Sequence, residues 1–443
     1  MSDWMMTHRA LPGRRRRALS PLREHLRDSF WFAPTAAMVI VFVVWLVTEE
    51  LDTAIVESLR EQGDFETLDD LVRFAEDAKT VVGAVSSAMM TFIGVVFSIS
   101  LVAVQMASGQ FTPRVVRIFV RSRITKATFA VFLATFVLTL LVLTAFDSTT
   151  DPRRVVSVPL VQSVLTLGMV ALSLLLFVMY VNTTLRLMRV SHVIARIAVE
   201  SFRAVALMPA VRDGDARPEL GPVTAWVAHE GRAGVLRDVH IARLVRVARR
   251  HGVVLRLVPR IGDFVVPGMP VIAVHGGQSP PPRVLRYTMG VGVERTFHQD
   301  LGFGLRQLSD IALRALSAAI NDPTTAVQAM DRVVQLLAAL SRRPLDVALH
   351  RDRSGTVRLV QPLPGWEALV DLGFAEVRGC AADAPQVTRR LLAGLDDLLL
   401  LVPPERCEPL RRHRELLRQA VERVAPTPAD RAFALRPDRQ GIG

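Results

Sequence analysis

Up to residue 181 the chain alternates long stretches without charge against short stretches dense in it. The uncharged stretches are Phe30–Val47, Val81–Met106, Thr128–Phe146 and Val158–Val181. A helix rises about 1.5 Å per residue, so these runs reach roughly 27–39 Å, enough for a hydrocarbon core about 30 Å thick. A helix at the surface of a water-soluble protein keeps a charged side, and none of these runs has one. The pattern predicts four membrane-spanning helices at 30–47, 81–106, 128–146 and 158–181, separated in the first instance by an acidic outer loop at 48–79.

Beyond Val181 the rhythm changes. Leu185, Met188, Ile194, Ile197 and Phe202 recur at helical spacing among arginines, predicting a helical stalk over 182–210 that continues the fourth span. Strands are expected at Val223–His229, Gly252–Arg260 and Pro270–His275, with a short helix at His240–Arg250. Together these make a small α+β module over 211–278. Its Gly262-Asp-Phe-Val-Val-Pro-Gly268 turn looks like the hairpins of biotinyl- and lipoyl-type domains, but no lysine follows in the module to carry a swinging cofactor. A structural hairpin accounts for its glycines. After the proline-rich linker at Ser279–Pro282, amphipathic periodicity predicts a helical domain over 279–425 and a disordered tail over 426–443. The expected fold class is therefore a membrane all-α region of four transmembrane helices, followed by a cytoplasmic α+β module and a helical domain.

Charge assigns the sides. The basic N-terminus (1–29), with Arg14, Arg15, Arg16 and Arg17, is expected inside. So are the second connection, with Arg114, Arg117, Arg121, Arg123 and Lys126, and the segment after Val181. The 48–79 connection carries eleven Asp and Glu against Arg60, Arg73 and Lys79, and belongs outside. Both termini then lie in the cytoplasm of a bacterial inner membrane. Trp31, Trp45 and Tyr180 fit interfacial aromatic belts. The first run is long for a signal peptide and has no small-residue cleavage site behind it. The net charge of +12, almost all arginine, is explained by a membrane surface rather than nucleic acid. Cys380 and Cys407 both fall on the inner side, so no disulfide framework is expected.

The second run holds the most suggestive chemistry. Ser87, Thr91, Gly94, Ser98 and Gln105 recur every three, four or seven residues, forming one stripe of small and polar side chains. Such a stripe lines a permeation path completed by other copies, or lets helices approach closely. Ser100 lies nearly opposite, which favours packing. Arg114, Arg117 and Arg121 share a face of a short helix after Pro113, suited to lipid phosphates or to a ring at a cytoplasmic mouth. In the soluble part, Arg295, Asp300, Arg306, Asp310 and Arg314 form a polar cluster that reads as a structural ion-pair network. No catalytic residues, metal ligands or cofactors are expected. His298 and Asp300 are two apart and do not share a helix face, and no hydrolase, nucleotide or zinc motif occurs.

Two segments carry a family resemblance. S-I-S-L-V-A-V-Q-M-A-S-G-Q-F-T-P-R (Ser98–Arg114) and E-R-T-F-H-Q-D-L-G-F-G-L-R-Q-L-S-D-I-A-L-R-A-L-S-A-A-I-N-D-P-T-T-A (Glu294–Ala326) resemble DUF2254, a bacterial family of predicted membrane proteins. His298 and Leu301-Gly302 depart from the family's form. The resemblance implies a four-span N-terminal region and a soluble C-terminal region, and no defined activity. The expected function is an oligomeric channel or pore with a cytoplasmic regulatory domain, or else a membrane-anchored scaffold or sensor. Its expected partners are anionic lipids, further copies of itself and a cytoplasmic ligand or protein.

Overall fold

The computed structural model describes residues 31–110, 123–146, 158–208 and 219–441. It divides into two compact units, Met1–Arg189 and Val190–Gly443.

Among the described residues of the first unit, four helices are long and apolar enough to cross a membrane. They are α1 (Phe32–Glu61), α2 (Phe65–Gln110), α3 (Arg123–Ala145) and α4 (Leu160–Met188). The two expected spans at the N-terminal end are thus shorter than the helices that contain them. The acidic connection is not a loop. α1 and α2 continue through it and meet at a three-residue turn, where Gly63 adopts φ +73°. Asp64 caps α2 by accepting the Thr67 amide at 3.1 Å. Leucines and valines spaced along the acidic stretch explain why it stays helical: Val56, Leu68 and Val72 form a buried cluster with Val158.

α3 is the central helix. Half of its most apolar stretch is enclosed by protein, against 11–17% in the other three helices. Val41, Val82, Ala134, Leu138 and Val142 pack toward one end of the bundle. Met89, Val96, Phe129, Phe132 and Tyr180 pack toward the other, with Phe92 set edge-to-face on Phe177 at 5.6 Å. Tyr180 therefore does not belong to an interfacial belt. It is buried, and its hydroxyl donates to the Val96 carbonyl at 3.1 Å.

The second unit mixes sheet and helix more intimately than expected. The predicted stalk is interrupted: Arg189 is extended (ψ 119°), and α5 (Val190–Ala206) buries Val193, Ile194, Ile197 and Ala198 within this unit. Strands β1 (Val223–Ala228), β2 (Gly234–Val239), β3 (Val254–Leu257), β4 (Phe264–Val265), β5 (Pro270–His275) and β6 (Met289–Gly292) surround α6 (Ile241–His251), and the short α7 (Pro282–Arg286) follows β5. Gly262 (φ +98°) and Gly268 (φ +87°) take the left-handed conformations that the turn motif requires.

The module does not close at residue 278. After α8 (Leu301–Ala315) and α9 (Pro323–Leu340), a hairpin of β7 (Val347–Arg351) and β8 (Val357–Pro362) returns to it. β8 pairs in parallel with β3, completing a five-stranded sheet of order β1-β5-β3-β8-β7 beside a three-stranded sheet β4-β2-β6. Leu244 and Ala248 of α6 share one core with Leu236, Leu255, Leu257, Ile272 and Leu359. The rest is helical: α10 (Trp366–Ala381), α11 (Pro385–Leu401) and α12 (Cys407–Val424) fall in the expected helical domain, and α13 (Pro428–Ala434) lies in the tail beyond it.

The tail also departs from the expectation of disorder. Phe433 lies under the Arg389 guanidinium at 4.4 Å, Arg389 pairs with Asp438 at 3.6 Å, and Arg439 reaches Asp397 at 2.8 Å.

Candidate functional site

α2 has two faces of different character. Val82, Ser86, Met89, Val96 and Ala103 are buried against the bundle. At about 100° per residue, Ser87, Thr91, Gly94, Ser98 and Gln105 fall nearly opposite them, and all five are exposed. Among the described residues of one copy, then, no other helix covers the stripe. A Cβ added at Gly83 or Gly94 would meet no atom within 4 Å. The hydroxyls bond weakly to their own helix, Ser87 to Gly83 O at 3.3 Å and Thr91 to Ser87 O at 3.4 Å. Ser100 is a separate case: its hydroxyl pairs with that of Tyr180. Its polarity is used in joining α2 to α4, so it no longer counts against a stripe that faces outward.

Two further polar features inside the bundle escaped the reading of the sequence. Asp52, placed there in a solvated loop, is fully enclosed. Its carboxylate accepts the backbone N–H groups of Val161 at 2.8 Å and Gln162 at 3.3 Å, at the start of α4. The residue before that helix, Pro159, offers no side-chain cap, so a carboxylate on α1 satisfies amides that α4 cannot. The second feature is a row of buried polar side chains on α3 (Thr128, Thr135, Thr139) and α4 (Gln162, Thr166, Ser173), joined where the Thr128 hydroxyl donates to the Leu176 carbonyl at 3.4 Å. Thr135 and Ser173 hydroxyls pair at 3.1 Å, while the Gln162 amide finds no hydrogen-bond partner among the described residues. The seven-residue spacings 128/135 and 166/173 were the available signal.

In the second unit the five-residue polar cluster separates into independent pairs. Arg295 grips Asp300 in bidentate fashion at 2.8 and 2.9 Å, and Asp300 also caps α8 by accepting the Phe303 amide at 3.0 Å. The pair presses on the Gly262 turn, where a Cβ would lie 2.7 Å from Asp300 Oδ2. Beside it Gln299, at φ +64°, uses its amide as a strand would. It accepts from Val239 N at 3.0 Å and donates to Val239 O at 3.1 Å. The R-x-x-x-Q-D segment therefore clasps the helical part to the end of β2. Arg306 belongs elsewhere, bridging Asp310 on its own helix at 2.6 Å and Glu376 on α10. Arg306 holds the Glu376 carboxyl below its ordinary range. Arg314 lies exposed at the end of α8 and His298 is exposed in the preceding loop. Arg114, Arg117 and Arg121 lie outside the described residues. Among the described residues no group of three or more His, Cys, Asp or Glu could hold a metal ion.

One buried titratable group stands apart. His413 on α12 is 2% exposed, and its Nε2 lies 2.8 Å from Asp371 on α10, which Arg412 also binds at 2.7 Å. Burial pushes the imidazole below its ordinary range, against the pull of Asp371.

A family model described as a predicted membrane protein, DUF2254, matches residues 27–397. The uncharacterized proteins Rv1290c of Mycobacterium tuberculosis and Mb1321c of Mycobacterium bovis are each 27% identical to this chain over 435 residues, covering 93% of it and 80% of their own length. No solved structure matches.

Proposed function

Because the chain belongs to the DUF2254 family of predicted membrane proteins, we propose that it works as a homo-oligomer in the bacterial inner membrane. In this reading the α2 stripes of several copies line a shared polar path. Both termini lie in the cytoplasm, as the arginine-rich connections demand. The observation that carries the reading is the outward exposure of Ser87, Thr91, Gly94, Ser98 and Gln105 opposite the packed face of α2. An amide such as Gln105 is costly in hydrocarbon, so that face calls for water or another protein surface. A single four-helix copy, whose interior is filled by side chains such as Leu138 and Phe132, offers no conduit of its own. Arg114, Arg117 and Arg121 would then ring the inner mouth or rest on lipid phosphates. The second unit would regulate the path by binding a ligand or partner protein, without catalysis, cofactor or nucleic acid.

A second reading has support of its own. Ser87 and Thr91 already spend their hydroxyls on backbone carbonyls, as interhelical packing surfaces often do. The stripe then only holds copies together, and the protein is a membrane-anchored scaffold or sensor. Planar-bilayer recordings of purified protein separate the two. Conduction that changes in Gln105→Leu and Ser98→Leu supports the path. Absent conductance, or flux indifferent to both substitutions, supports the scaffold.

A further inference from the structure

The α+β part of the second unit is strongly basic, with ten arginines against four acids between Glu219 and Gly292. Two of those acids are already engaged, Glu230 with Arg286 and Asp263 with Arg260. Four of the arginines stand on one helix. Arg243, Arg246, Arg249 and Arg250 of α6 are all exposed, and no described residue forms an ion pair with them. At 100° per residue they fall within an arc of about 120°, opposite the buried Leu244 and Ala248. Four guanidiniums held on one rigid face repel one another, and no ion pair among the described residues offsets that repulsion. A counter-surface of negative charge would.

We infer that this face of α6 docks on the phosphate headgroups of anionic lipid. The connectivity favours that partner over other polyanions. A single residue, Arg189, separates the apolar helix α4 from α5. The unit is therefore covalently held at a bilayer, where a tethered surface acts at high effective concentration. Each basic residue near an anionic leaflet contributes about 1 kcal/mol, roughly a fivefold factor. The docking is independent of whether α2 lines a path, since it requires only the tether and the charge.

The test uses the full-length protein with Cys380→Ser and Ala242→Cys, so that a nitroxide is attached to α6 while buried Cys407 stays unreactive. The protein is reconstituted into phosphatidylcholine nanodiscs with and without phosphatidylglycerol. Collision of the nitroxide with a water-soluble nickel chelate is expected to fall when phosphatidylglycerol is present and to recover at high salt. Arg243→Gln with Arg246→Gln should lower the docked-to-free ratio roughly 25-fold, two fivefold steps. Arg256→Gln, exposed on β3 between the buried Leu255 and Leu257 and so on the side of the sheet away from α6, should leave it unchanged. Equal collision rates in both nanodiscs would overturn the inference. So would an equal loss of docking in Arg256→Gln, or protection by a soluble RNA homopolymer where phosphatidylglycerol gives none.

Discussion

Buried polar side chains in this protein divide into those that satisfy a neighbour and those that titrate. His413, buried, and His350, half-buried, belong to the second group. Both are held below the ordinary imidazole range by burial, His413 beside Asp371 and His350 beside Gln361. The unfolded chain then binds protons that the folded one refuses, so stability must fall as pH drops through the ordinary imidazole value of about 6.5. Thermal unfolding of the full-length protein should show a lower transition at pH 5 than at pH 7.5. The dependence should shrink in His413→Gln and shrink further when His350→Gln is added. A transition indifferent to pH across that window would refute the assignment.

Single elements are fixed by a few side chains reaching across from others. Asp52 on α1 supplies the cap that α4 lacks, and Asp52→Ala should cost about 1–2 kcal/mol, the usual worth of such a cap. Asp52→Asn, which keeps an acceptor oxygen, should cost less. Chemical or thermal unfolding in detergent reads both, and equal losses would mean the carboxylate acts otherwise. In the second unit α8 approaches α5 so closely that a Cβ at Gly304 would lie 2.7 Å from Ser201 Cβ. Gly304→Ala should therefore destabilise by about 1–3 kcal/mol, the range for overpacking. Combination with Ser201→Gly should recover part of that loss. A double variant no better than the single one would place the strain elsewhere.

For the molecule as a whole, the C-terminal strap is the clearest test of how the second unit coheres. Arg389 is 8% exposed and depends on Asp438, the Arg436 carbonyl and the Phe433 ring. Deleting residues 426–443 would remove the Phe433 ring, the Arg436 carbonyl and Asp438 from Arg389 together, and should lower the unfolding transition. Unfolding of the truncated full-span protein, followed by circular dichroism, measures this. An unchanged transition would show the strap to be dispensable.

The four long apolar helices, the helix-rich C-terminal half and the turn glycines could all be read from residue order, because each depends on local pattern. Uncharged length marks a span, period 3.6 marks a helix, and positive φ calls for glycine. The polar stripe of α2 was legible for the same reason, being a matter of angular spacing along one helix. Which way it faces was not, since that depends on the helices that cover the opposite side. Asp52 looked like one acid among eleven until α4 began beside it. Arg295, Asp300, Arg306 and Asp310 looked like one cluster until folding paired Arg295 with Asp300 and drew Glu376 of α10 to Arg306 beside Asp310. The β7–β8 hairpin joined a sheet begun about a hundred residues earlier, and the tail folded onto α11 through Arg389. Pairings between distant segments are set by shape and charge that meet only after collapse, so only the tertiary structure could decide them.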